Sequence, residues 1–113
     1  MNLRSCIEAC RRCHDTCVGM VAHCLGLGGA HAAQEHIVML LDCADICRTS
    51  ADLMLRSSPR HFATCRACAE ICEACAEDCE KLAGGDEEMQ RCAEICRRCA
   101  ELCREMSQHA KAA

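Results

Sequence analysis

The chain has 113 residues, a formal net charge of −4 and sixteen cysteines, against one phenylalanine and no tryptophan or tyrosine. A mildly acidic balance with almost no aromatics excludes a nucleic-acid surface, and no apolar run approaches the ~20 residues of a membrane span. Leu, Ile, Val and Phe together number 18, below the ~20% share of an ordinary folded domain, so cysteine has to supply the core.

The first predicted element is a helix near 2–26. Its cysteines Cys6, Cys10, Cys13, Cys17 and Cys24, with Met20 in the one gap, step by 4, 3, 4, 3 and 4 residues. That alternation is the inward seam of a packed helix. Gly26, Gly28 and Gly29 end it. The second helix, near 31–57, carries a poorer seam: His36, Met39 or Leu40, Cys43, Cys47, Ser50 and Met54. The third, near 59–83, opens on Ser58 as N-cap with Pro59 at its first position. Its seam is His61, Cys65, Cys68, Cys72, Cys75, Cys79 and Leu82, and Gly84-Gly85 closes it. The fourth, near 86–109, opens on Asp86, Glu87 and Glu88, acids at the positive end of the helix dipole. Its seam is Met89, Cys92, Cys96, Cys99, Cys103, Met106 and His109. Short connections predict one all-α domain over 1–113, an up-down-up-down four-helix bundle with a cysteine-lined core.

A short unit repeats within these helices. Cys68-Ala-Glu-Ile-Cys72-Glu-Ala-Cys75 matches Cys92-Ala-Glu-Ile-Cys96-Arg-Arg-Cys99. Cys43-Ala-Asp-Ile-Cys47-Arg-Thr-Ser50 keeps the frame with serine in the third cysteine slot, and Cys6-Ile-Glu-Ala-Cys10-Arg-Arg-Cys13 is a looser copy. Disulfides along a helix are disfavoured, because neighbours three or four apart hold their Cβ atoms ~5–6 Å apart, against the ~3.5–4.5 Å a disulfide needs. No apolar h-region opens the chain at Met1–Cys6, so the expectation is a cytoplasmic protein with reduced thiols. Leucine would pack such a seam at least as well. Cysteine at nearly every position therefore points to metal.

Thiolates select Cu(I), Zn(II) and iron–sulfur clusters. Four tetrathiolate zinc sites would bury a charge of about −8 in a helical tube, a heavy desolvation cost. Cu(I) takes two sulfurs and can share each, displacing one thiol proton per ion, so the core stays near neutral empty and full. Iron–sulfur clusters usually draw their cysteines from loops or mixed spacings. Cu(I) is the favoured ion; zinc and iron–sulfur redox or buffering are the alternatives. No nucleophile–base–orienter set stands apart from the seam, so no enzyme activity is expected.

With four helices, the repeated Cys-x3-Cys-x2-Cys unit and scarcely any aromatics, the chain resembles the bacterial copper storage proteins, in their cytosolic branch. The resemblance spans the whole sequence. It implies a bundle holding many Cu(I) ions along its core, and a homo-oligomer, often a tetramer. Ser50 in a cysteine slot and the apolar first half of the second helix depart from that pattern.

Two loops cover one end of such a bundle. The other end has only the 57–59 turn and the termini, and is the expected mouth. His61 and His109 are candidate Cu(I) ligands there, with Met54 and Met106 as weaker relays. At the opposite end Met20, His36 and Met89 lie on the seam and could finish the metal chain. Leu25, Leu27, Ile37, Leu40, Leu41 and Leu82 read there as a hydrophobic plug. His14, His23 and His31 read as surface. Glu8, Asp45, Glu70 and Glu94 fall on the outer face, with Arg11, Arg12, Arg97 and Arg98 as pairing partners. Val38, Leu41 and Ile46 form a second apolar stripe on the second helix, which makes it the expected subunit contact.

Overall fold

The computed structural model describes the backbone of residues 3–112 and the side chains of 3–108. Four helices follow one another: α1 (Leu3–Leu27), α2 (Gln34–Leu55), α3 (His61–Ala83) and α4 (Glu87–Ala112), with a short 3-10 helix at Gly29–Ala32. Each neighbour in sequence packs antiparallel, and α1 closes the ring against α4. The result is an up-down-up-down rod of 46 × 19 × 19 Å.

Where the helices begin and end departs from the sequence expectation in three places. The expected start of the first helix at residue 2 lies outside the described residues. The second helix begins at Gln34 rather than near 31, because Gly28 and Gly29 take left-handed φ angles of 75° and 55° and feed a 3-10 turn first. It stops at Leu55, short of 57. Ser57 has φ 53°, while the Ser57 and Ser58 N–H groups donate back to the Met54 and Leu53 carbonyls at 3.1 and 2.9 Å. That pair of bonds is a Schellman ending with serine where glycine is usual. The third helix starts at His61, so Ser58 and Pro59 do not open it. Ser58 Oγ instead accepts from the Arg60 N–H at 3.2 Å, a local turn that competes with capping.

Asp86, expected as the first residue of the fourth helix, stands just ahead of α4 and caps it: its carboxylate accepts the Met89 N–H, three residues on, at 3.0 Å. His23 on α1 also reaches Asp86 at 2.9 Å and Glu88 at 2.9 Å, tying the two helices together at this end.

The core is almost wholly sulfur and small side chains. All sixteen cysteines have no exposed surface, and alanines such as Ala44, Ala69, Ala76 and Ala93 fill the flanks of the seam. Small residues let the helices approach closely enough for sulfurs on different helices to meet. Glu8, Asp45, Glu70 and Glu94 face outward as expected. The arginine pairing differs from expectation: Arg97 is held by both oxygens of Glu80, Arg98 lies 3.7 Å from Glu101, and Arg104 pairs with Glu73. Glu80 and Glu73 lie across the α3–α4 contact from Arg97 and Arg104, while Arg98 and Glu101 are one turn apart on α4.

Candidate metal centre

The heptad-like spacing aims every cysteine at the axis, and the antiparallel packing turns four separate rows into one column. Sulfur contacts run without a break along most of it. Cys6 meets Cys103 at 3.7 Å, and Cys103 meets Cys10 at 3.4 Å. Cys10 meets Cys99 at 3.7 Å, and Cys99 meets Cys47 and Cys68 at 3.9 and 4.0 Å. Cys47 reaches Cys72 at 3.5 Å, and Cys72 reaches Cys43 at 3.6 Å. Cys43 meets Cys13, Cys13 meets Cys96 (both 3.7 Å), and Cys96 meets Cys17 at 3.8 Å. All sixteen thiols are free.

Several groups are compact enough to share an ion. Cys10, Cys68, Cys99 and Cys103 hold their sulfurs within 4.8 Å of one another, as do Cys13, Cys47, Cys72 and Cys99, and Cys13, Cys17, Cys43 and Cys96. Cys13 and Cys99 belong to two groups each, so neighbouring groups overlap. Isolated tetrahedral sites would each own their ligands; overlap is what bridging thiolates need. Cys68 and Cys72 stand 3.6 Å apart one turn along α3, so a Cys-x3-Cys pair does converge on one position.

Contacts between thiols push neighbouring cysteines of the column in opposite directions. Cys47, Cys96 and Cys103 are raised, chiefly by hydrogen bonding to Cys10, Cys13 and Cys10 and further by burial. Cys10 and Cys43 are lowered, chiefly by the thiols of Cys103 and Cys13. A thiolate in this column is therefore solvated by neighbouring S–H groups in place of water.

At the expected mouth, Cys6, Cys65 and Cys103 form a triad within 4.8 Å. Met54 Sδ lies 3.8 Å and His61 Nδ1 4.0 Å from Cys65 Sγ, and Ser50 Oγ lies 3.4 Å from it. Met54 and Met106 are buried and His61 is half-buried. Hydrogen bonds from Cys103 and then Cys6 hold the Cys65 thiol far below its ordinary value, with Ser50 and His61 adding to the effect. His109 lies in α4, with its side chain outside the described residues.

The opposite end differs from the expected apolar plug. Leu40 is fully buried and Ile37 and Leu82 pack against the core, but Leu25, Leu27 and Leu41 are 54%, 48% and 43% exposed. The three fall on the solvent side of α1 and α2, since the seam side is taken by Cys24, His36 and Leu40. Cys79 and Cys92 stand 4.0 Å apart. Beyond them Cys24 Sγ meets His36 Nε2 at 3.3 Å, and His36 Nδ1 meets Asp78 Oδ2 at 2.6 Å. Burial pushes the Cys24 thiol up to about 11, with Cys92, Asp86 and Asp78 adding to it. His23 and His31 are not free surface groups. His23 bridges Asp86 and Glu88, and His31 Nδ1 lies 2.9 Å from the buried Met89 Sδ. Sequence reasoning passed over Asp78. Its only signal was an acid flanking Cys79 on the inner side of the helix.

A helical tube filled with overlapping thiol groups defines a multinuclear thiolate metal-binding bundle. The model of the family described as Csp, copper storage protein, matches residues 1–108. The chain therefore belongs to the copper storage protein family. Solved structures are similar over nearly its full length. The Nmul_A1745 protein of Nitrosospira multiformis is 45% identical, with 94% of each chain covered and a TM-score of 0.88. The Cu(I)-bound copper storage protein BsCsp3 is 38% identical over 92% of this chain and 96% of its own, with a TM-score of 0.85; Csp3 is from Bacillus subtilis. A cytosolic copper storage protein of Streptomyces lividans, described with five coppers, is 33% identical over 94% and 92%, with a TM-score of 0.83. No curated protein sequence matches the chain. Among the described residues no helix is long and apolar enough to cross a membrane.

Proposed function

We propose that this protein is a cytoplasmic store of Cu(I), a single-domain binding protein without catalytic activity. The observation that carries the reading is the unbroken column of buried sulfurs from Cys6 to Cys17, with thiols shared between overlapping groups. Two-coordinate Cu(I) needs two sulfurs and tolerates sharing, and each ion replaces a proton, so loading leaves the buried column near neutral. Zinc would need four sulfurs per ion and would leave each site doubly negative. The Cu(I)-bound Bacillus relative and the copper-loaded Streptomyces relative support copper as the cargo.

Copper enters at the end carrying His61 and His109. Two features favour that end: the soft ligands Met54 and Met106 are buried inside it, and His61 stands at its rim, with Nδ1 4.0 Å from Cys65 Sγ. The sixteen cysteines are the ligands of the store, with His61 and His109 as entry ligands and Met54 and Met106 as relays. In solution the protein forms a homo-oligomer through α2, whose Val38 and Leu41 are 45% and 43% exposed.

The test is an anaerobic Cu(I) titration of the reduced protein against a chromogenic competitor, with zinc run in parallel. Tight uptake on the order of ten or more Cu(I) per chain, and far fewer zinc ions, is the expected result. Saturation at one or two Cu(I) overturns the storage reading. A brown chromophore in the isolated protein would favour iron–sulfur instead.

A further inference from the structure

His36 is the only described histidine that is fully buried, at 2% exposure. Both ring nitrogens are engaged: Nδ1 with the Asp78 carboxylate at 2.6 Å and Nε2 with Cys24 Sγ at 3.3 Å. The carboxylate accepts, so Nδ1 carries the proton and Nε2 keeps its lone pair toward sulfur. A carboxylate that sets the tautomer and angle of an imidazole is the usual outer support of a ligating histidine. Cys24 lies next along the axis after the Cys79–Cys92 pair, whose sulfurs are 4.0 Å apart, and it is electrostatically linked to Cys92.

We propose that Cys24 Sγ and His36 Nε2 form a mixed sulfur–nitrogen site for one Cu(I), which ends the thiolate column opposite the mouth. Asp78 is its positioning residue. The proposal rests on the Cu(I) storage reading. Its logic is charge. Inside the column each sulfur can be shared by two ions, so one thiolate per copper keeps the balance neutral. The last ion has no further neighbour to share with. Two unshared thiolates would leave it at −1 in a buried place, whereas one thiolate with a neutral imidazole leaves it at zero. Copper bound here takes the place of the Cys24 proton, which leaves to solvent, and the ion keeps its oxidation state.

The experiment uses the full chain labelled with nitrogen-15 in histidine, reduced and loaded anaerobically from a buffered Cu(I)–chelator complex. Imidazole nitrogens are followed by long-range proton–nitrogen spectra. The expected result is a His36 ring protonated at Nδ1 before loading, whose Nε2 resonance moves as the last equivalents bind. Asp78→Asn, which keeps the ring, weakens that last equivalent by about 10–100-fold in chelator competition while the column fills as before. His36→Ala loses about one Cu(I) from the endpoint, with circular dichroism checking its fold. A column that fills while the His36 nitrogens stay unmoved overturns this site and leaves the storage reading intact. A wild-type chain that takes up no Cu(I) overturns both.

Discussion

Ser50→Cys supplies the one thiol missing from the repeated unit. Ser50 sits in the third cysteine slot of the α2 copy, is fully buried, and places Oγ 3.4 Å from Cys65 Sγ. Cys6, Cys65 and Cys103 already gather within 4.8 Å around that position. A sulfur at 50 turns the triad into a four-sulfur layer like that of Cys10, Cys68, Cys99 and Cys103. At about one Cu(I) per shared thiolate, the variant binds about one more ion, near the mouth. The apo fold should scarcely change. The Ser50 hydroxyl has a thiol as its partner, and exchanging oxygen for sulfur alters one weak hydrogen bond, worth about 1 kcal/mol or less. For a chain of this size that is a shift of about 4 °C or less in Tm. The assay is the anaerobic titration endpoint for wild type, Ser50→Cys and Ser50→Ala, with Tm measured on each apo form. The alanine variant should match wild type in capacity. An unchanged endpoint in a folded Ser50→Cys protein would refute the claim that seam thiols set capacity.

Other perturbations act on different parts of the structure. Cys47→Ala removes a sulfur lying 3.5, 3.7 and 3.9 Å from Cys72, Cys68 and Cys99. It should lower capacity by about one to two Cu(I) and apo stability by about 1–2 kcal/mol, measured by titration and denaturant unfolding. Ser57→Gly relieves a left-handed φ of 53° at the end of α2 and should raise apo stability by about 1 kcal/mol; no gain would mean that the turn carries no strain. Asp86→Ala removes the α4 cap and the His23 contact and should cost about 1 kcal/mol or more. The Cys24 thiol is held up to about 11, above the ordinary 9.0. Between those values the unfolded chain has lost a proton that the folded chain keeps, so the contribution of Cys24 to apo stability is full below pH 9 and is lost as pH rises toward 11. A Tm that stays flat or rises over that window in the apo protein contradicts the burial argument. Bound copper should stabilise the fold by about 4 kcal/mol for each ion held at a thousand times its Kd, read as a rise in Tm by calorimetry with and without Cu(I).

The sequence alone determined the class of fold and the chemistry of its core. Steps of three and four residues can only place those cysteines on one side of a helix, and the two glycine breaks together with Ser58-Pro59 count out four helices. The same periodicity put Met54, Met106 and His36 on the seam, and all three are buried. Tertiary structure decided what periodicity cannot carry. The spacing says that cysteines face inward. Only the antiparallel stagger of α1 against α4 and of α2 against α3 decides that Cys10 meets Cys103 and Cys43 meets Cys72. The apolar plug failed for a related reason: Leu25, Leu27 and Leu41 share one end of the molecule but not one face. Asp78 became visible only when α3 was docked on α2, because its partner His36 is 42 residues away. Seam periodicity is a property of one helix. Which sulfurs can share an ion is a property of four helices packed in register.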